Sequence, residues 1–96
     1  MIIMTGKALV RKPSNKELEK YNFDSWPIWE IEVSEYPWEY LDKETFYVIE
    51  GRATVILDDG EKIEFSKGNL VIFAKGIKCT WTVHEPIRKV YKFGEI

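Results

Sequence analysis

A chain of 96 residues has room for one domain and one core, a domain of this size burying roughly two-thirds of the surface its unfolded chain exposes. Hydrophobic residues make up 45% of it and aromatics 15%, which excludes a disordered segment. A net charge of -2, from 14 basic and 16 acidic side chains, gives too weak a field to gather nucleic acid or an anionic membrane.

In chain order, Lys7–Arg11 predicts an edge strand. Ser14-Asn15-Lys16-Glu17 has the form of a capping box, so a short helix runs from there through Lys20. From Pro27 the period becomes two. Trp29, Ile31 and Val33 alternate with Glu30 and Glu32, the pattern of a strand with one buried face. Pro37 opens a second short strand, Trp38 to Leu41, in which Trp38 and Tyr40 share a face. The next strand carries Glu44, Phe46, Val48 and Glu50 on one face and is predicted to end at Gly51. Ala53, Val55 and Leu57 continue the alternation up to Asp58-Asp59-Gly60, a hairpin signal in which both central positions are expected at positive φ. Ile63 and Phe65 resume the pattern, Lys67-Gly68-Asn69 turns, and Leu70–Phe73 is apolar throughout, as expected of an interior strand buried on both sides. Lys75-Gly76 turns into Cys79–Val83, and Ile87–Phe93 closes the set. Many short strands with glycine turns and no long helix predict an all-β barrel or sandwich, of which the barrel is taken, spanning residues 1–96 as a single domain.

A lone cysteine permits no intramolecular disulfide and suits a reducing compartment, so the cytoplasm is the expected location. The apolar Met1–Met4 is too short for the core of a signal peptide, and no stretch is long enough to span a bilayer. The absence of glutamine, with few asparagines and many Lys and Glu, is a balance found in proteins of hot environments.

The run Trp38-x-Tyr40-x3-Glu44-x6-Gly51 has the spacing of the first motif of the cupin superfamily, and Gly68-x5-Ala74-x-Gly76-x2-Cys79-x3-Val83 has that of the second. The chain from about Trp29 to Phe93 therefore resembles a small cupin, a double-stranded β-helix or jelly-roll barrel, here with a short N-terminal helix. More narrowly, Trp26-Pro27-x-Trp29-Glu30, Glu44-Thr45-x-Tyr47-Val48-x-Glu50-Gly51 and Cys79-x-Trp81 resemble the short cupins grouped with the ureidoglycine aminohydrolase and ethanolamine-utilisation cupins. In metal-binding cupins the two motifs supply three histidines and a glutamate, and the resemblance places those ligands at Trp38, Tyr40, Glu44 and Cys79. Only the glutamate is retained, and Ala74 stands where the second motif usually has proline. An indole has no lone pair for a metal, and a phenol gives one readily only when deprotonated, so no metal and no cofactor are expected. The aminohydrolase reaction depends on the missing histidines and is not carried over; the fold and the pocket position are.

Glu44 is predicted to point into the barrel, where an unpaired carboxylate is costly and a partner is required. It is either satisfied by backbone or a core tyrosine, or it serves as acid/base or ligand, and its match to the metal-ligand position favours the second. Cys79 is a small buried hydrophobe on one reading and a nucleophile on the other, the latter needing Lys75 or Lys78 to turn into the mouth and stabilise its thiolate. Trp38, Tyr40, Trp29 and Trp81 either pack the core or stack a planar ligand. His84 is expected outside the barrel, and Arg88, Lys89 and Lys92 on a solvated face.

Three functions follow. The first is a metal-independent barrel binding a small polar or ring-containing molecule between Trp29, Trp38, Tyr40 and Trp81, with Glu44 as polar anchor and Cys79 at the site. The second is an enzyme on a small polar or nitrogen-containing metabolite, with Glu44 moving a proton and Cys79 or Tyr40 assisting; its metal-binding variant, through Glu44, Cys79 and Tyr40, matches no common ligand set. The third is a module with a solidly packed barrel that dimerises through an exposed aromatic edge. A homodimer is the expected assembly.

Overall fold

The computed structural model describes residues 3, 4 and 6–94. Among these residues eight strands lie in one antiparallel sheet: β1 (Ile3–Met4), β2 (Ala8–Arg11), β3 (Ile28–Ile31), β4 (Ser34–Glu39), β5 (Glu44–Leu57), β6 (Lys62–Ser66), β7 (Leu70–Phe73) and β8 (Lys78–Phe93). Among the described residues there is one α-helix, α1, covering Asn15–Tyr21, one residue beyond the predicted end. Its capping box forms as expected: the Glu17 N–H donates to Ser14 Oγ at 3.3 Å and the Ser14 N–H to Glu17 Oε1 at 3.1 Å. The Arg11 guanidinium donates to both Glu17 oxygens and, first among the causes, lowers the Glu17 carboxyl to about 2. No described helix is long and apolar enough to cross a membrane.

The long strands β5 and β8 pair along most of their length and carry the rest. β7 and β6 flank successive halves of β5, while β3 and β4 flank the two halves of β8. Four predicted boundaries are corrected by this arrangement. Lys7–Arg11 is not an edge, because β2 lies between β1 and β7. Pro37 does not open a strand; it sits inside β4, which has no neighbour on its other side among the described residues and so loses no ladder bond to the missing N–H. Cys79–Val83 and Ile87–Phe93 are one strand running through Pro86. Gly51 does not end β5 but bends it.

At Gly51 φ is +99°, and a Cβ there would sit 2.1 Å from the Pro86 carbonyl oxygen, so only glycine permits the approach of β8. The pairing slips across this point, and the buried face of β5 changes from Glu44, Phe46 and Val48 to Ala53, Val55 and Leu57. The bend folds the two halves of the sheet together. Phe46, on the first half of β5, meets Phe65, which lies opposite Ala53, with ring centroids 5.3 Å apart, a contact that a straight strand rising ~3.3 Å per residue would forbid. Trp81, Val83, Phe73 and Ile87 complete the core around them. Leu70, Val71 and Phe73 are buried, as expected of an interior strand.

At the Asp58–Gly60 hairpin only Gly60 has positive φ, where both central residues were expected to. The Gly60 N–H donates to the Leu57 carbonyl and the Leu57 N–H to that of Glu61, the hydrogen bonding of a type I turn closed by a glycine bulge.

Candidate functional site

Between β3, β4 and the far end of β8 lies a cavity of about 610 Å³. One wall is Trp29 and Ile31 of β3 with Val33 of the following loop; the second is Ser34, Tyr36 and Trp38 of β4; Tyr40, Glu44, Trp81, Lys89 and Tyr91 close the inside. The face of Trp29 and Val33, expected to be buried, is instead 55% and 62% exposed, because these side chains stand at the mouth with no layer over them. The β4 face steps inward: Trp38 is 48% exposed at the rim, Tyr36 is half-buried against Trp81 with rings 14° apart, and Tyr40 is 1% exposed at the base.

The partner required by Glu44 is Lys89. Its Nζ donates to Glu44 Oε2 at 2.9 Å, with the two side chains only 6% and 4% exposed. Lys89 pairs with Val48 across the strands, on the same inward face, and its chain runs back past Phe46 to reach Glu44. The ammonium sits 4.1 Å from the centre of the Phe46 ring and 4.9 Å from that of Trp81, where the π faces stabilise a cation. Burial pushes the Lys89 amine below its ordinary value, and the Glu44 charge opposes that only in part. The expectation of Lys89 on a solvated face is therefore wrong. Strand parity carried the missing signal, since Ile87, Lys89 and Tyr91 alternate on one side, while Arg88 lies on the exposed side near Glu30 and Glu50. Tyr36 was missed too, although it shares the parity of Trp38 and Tyr40.

Five of the six candidate residues, Trp29, Trp38, Tyr40, Glu44 and Trp81, line this same cavity. Cys79 does not. Its thiol points to the Trp38 carbonyl at 3.5 Å, and burial, followed by the Asp58 charge, pushes it up to about 11. It is thus a neutral thiol at physiological pH. The Tyr40 phenol accepts a hydrogen bond from Trp81 Nε1 at 3.2 Å and is raised well above its ordinary value, by burial first and then by the Glu44 charge. Tyr36 is pushed up to about 12 for the same reasons. His84 is outside the barrel as expected, its Nε2 2.8 Å from Thr54 Oγ1.

The donors at the motif positions do not fit a transition metal. The Glu44 carboxylate is engaged by an ammonium, the phenol and the thiol both keep their protons, and Trp38 offers no lone pair. Among the described residues no three His, Cys, Asp or Glu side chains come together. What the site offers is a cation and an anion side by side at the inner end of an aromatic slot.

The comparisons with known proteins agree with the fold. The model of the EutQ-like cupin domain matches residues 18–91. The crystal structure of a DUF861 family protein from Thermotoga maritima is 43% identical, covers 92% of this chain and all (100%) of that one, and superposes with a TM-score of 0.90. A DUF861 protein of unknown function from Pseudomonas syringae is 28% identical over 70% of this chain and 29% of its own, with a TM-score of 0.64. The EutQ protein of Clostridium difficile, 22% identical, shares the fold over 95% of this chain and 57% of its own, with a TM-score of 0.62. None of the curated proteins matches at a significant level. The chain belongs to the EutQ-like cupin domain family.

Proposed function

We propose that this cupin binds a small molecule with a planar or ring-shaped body and a polar end, without a metal. The body would lie between Trp29, Trp38, Tyr36 and Trp81, and the polar end would meet Glu44 and Lys89. The observation that carries this reading is the buried ion pair itself. Taking a carboxylate and an ammonium out of water costs several kcal/mol per ion, and well-packed apolar residues would hold a barrel together at least as well. A pair held at the wall of a 610 Å³ cavity is better accounted for as a ligand's anchor than as a support for the fold. The same cavity weighs against a solidly packed module.

Thermal-shift screening against small ring-containing carboxylates, amines and carbonyl compounds tests the proposal, since a ligand raises the melting temperature only by binding the folded chain. A hit should stabilise the native protein and Cys79→Ala equally and leave Glu44→Gln unshifted. No shift across the panel, or a shift undiminished in Glu44→Gln, would sink it.

A further inference from the structure

We propose that Lys89 captures a small aldehyde or ketone as a reversible imine, with Glu44 carrying the proton. The inference rests on the ligand-binding reading of the same cavity and goes beyond it by naming the reacting atom and the class of ligand.

Three features place this chemistry at Lys89. Lys89 lines the cavity, and its amine is held in one position by the Glu44 hydrogen bond at 2.9 Å and by the rings of Phe46 and Trp81. A desolvated lysine beside a proton carrier is the usual form of an imine-forming amine, because its lone pair is freed without a large cost. The lowering of its basicity by burial acts in that direction. Finally, the slot above it is aromatic, so the carbonyl compound it suits carries an apolar ring.

The step balances within the pair. Glu44 takes a proton from the ammonium, and the freed lone pair forms a C–N bond to the carbonyl carbon while the C=O π electrons move to oxygen. A proton passes from nitrogen to that oxygen, giving a neutral carbinolamine. Glu44 returns its proton to the hydroxyl, which leaves as water as the nitrogen lone pair closes the C=N bond. The product is an iminium cation facing the Glu44 carboxylate, so the charge pair over the Phe46 and Trp81 rings is the same before and after. No oxidant or reductant is needed.

The test is trapping of the native protein by benzaldehyde with cyanoborohydride, read by intact mass and peptide mapping, alongside a thermal shift with benzyl alcohol, which fills the slot and forms no imine. The proposal predicts one adduct per chain at Lys89, formed at a lower pH than any adduct on the exposed lysines. Lys89→Arg, which retains a cation and whose fold is checked by its melting curve, should form none, and Glu44→Gln should form it about 100-fold more slowly. A shift with benzyl alcohol and no Lys89 adduct would overturn the imine and leave the binding site standing. Neither shift nor adduct would overturn both, and labelling spread over exposed lysines with Lys89 unmodified would also overturn the imine.

Discussion

Two ion pairs join β5 to β8 at the same distance, 2.9 Å, in opposite surroundings. Arg52 and Glu85 meet beside the Gly51 bend with side chains 54% and 60% exposed, whereas Glu44 and Lys89 meet inside at 4% and 6%. Length is therefore no guide to what a pair does. The outer pair forms in water, gains little and costs little. The inner pair gives up two hydration shells, keeps a carboxylate and an ammonium dry among aromatic rings, and opens onto a cavity. The contrast teaches that the inner pair costs the fold more than the outer one does, which is the ground on which the proposed ligand-binding role rests.

The largest effect should come from removing one inner partner. Glu44→Leu or Lys89→Met strands a buried charge, and equilibrium unfolding should show a loss of about 3–5 kcal/mol. A loss near zero would mean that water reaches the pair and the contrast with Arg52–Glu85 is false. Gly51→Ala comes next. It places a Cβ against the Pro86 carbonyl at positive φ, so urea unfolding should report destabilisation of about 3 kcal/mol, with both ion pairs disturbed because the bend sets the register between them. The Arg11–Glu17 pair at the helix start is an intermediate case that pH can isolate. Glu17 is lowered from 4.5 to about 2, so its contribution is complete above pH 4.5 and is lost as the pH falls towards 2; Glu17→Gln should flatten the melting-temperature curve in that window alone. The smallest effect belongs to Arg52→Ala and Glu85→Ala, each under about 1 kcal/mol, with a coupling that disappears in 1 M salt.

Much of the fold was legible because its signals are local. The capping box at Ser14 and Glu17, the period-two strands, the turn glycines and the motif spacing around Glu44 all act over a few residues. Two misreadings trace to longer-range causes and a third to a local signal passed over. Gly51 reads as a stop, but it is a bend, and only the approach of Pro86 from the other long strand explains why the chain continues there. Trp29 and Val33 alternate like a core strand, yet they line the mouth of a cavity, and apolar alternation does not distinguish a packed wall from an open one. Lys89 was read by its charge when its parity with Ile87 and Tyr91 placed it inside. The need of Glu44 for a partner was evident from sequence; which residue supplied it depended on a lysine reaching back along the neighbouring strand from its place opposite Val48. Cys79 matched a ligand position, but its thiol turns to the Trp38 carbonyl and away from the cavity.

The most direct test of the account is the unfolding free energy of the double variant Glu44→Leu/Lys89→Met beside its two single parents. If the pair serves a ligand, the double variant should return to within about 1 kcal/mol of the native protein, because no charge is left buried, while losing every ligand-induced thermal shift. A double variant no more stable than its single parents would show that the pair itself holds the barrel together, and would contradict the account.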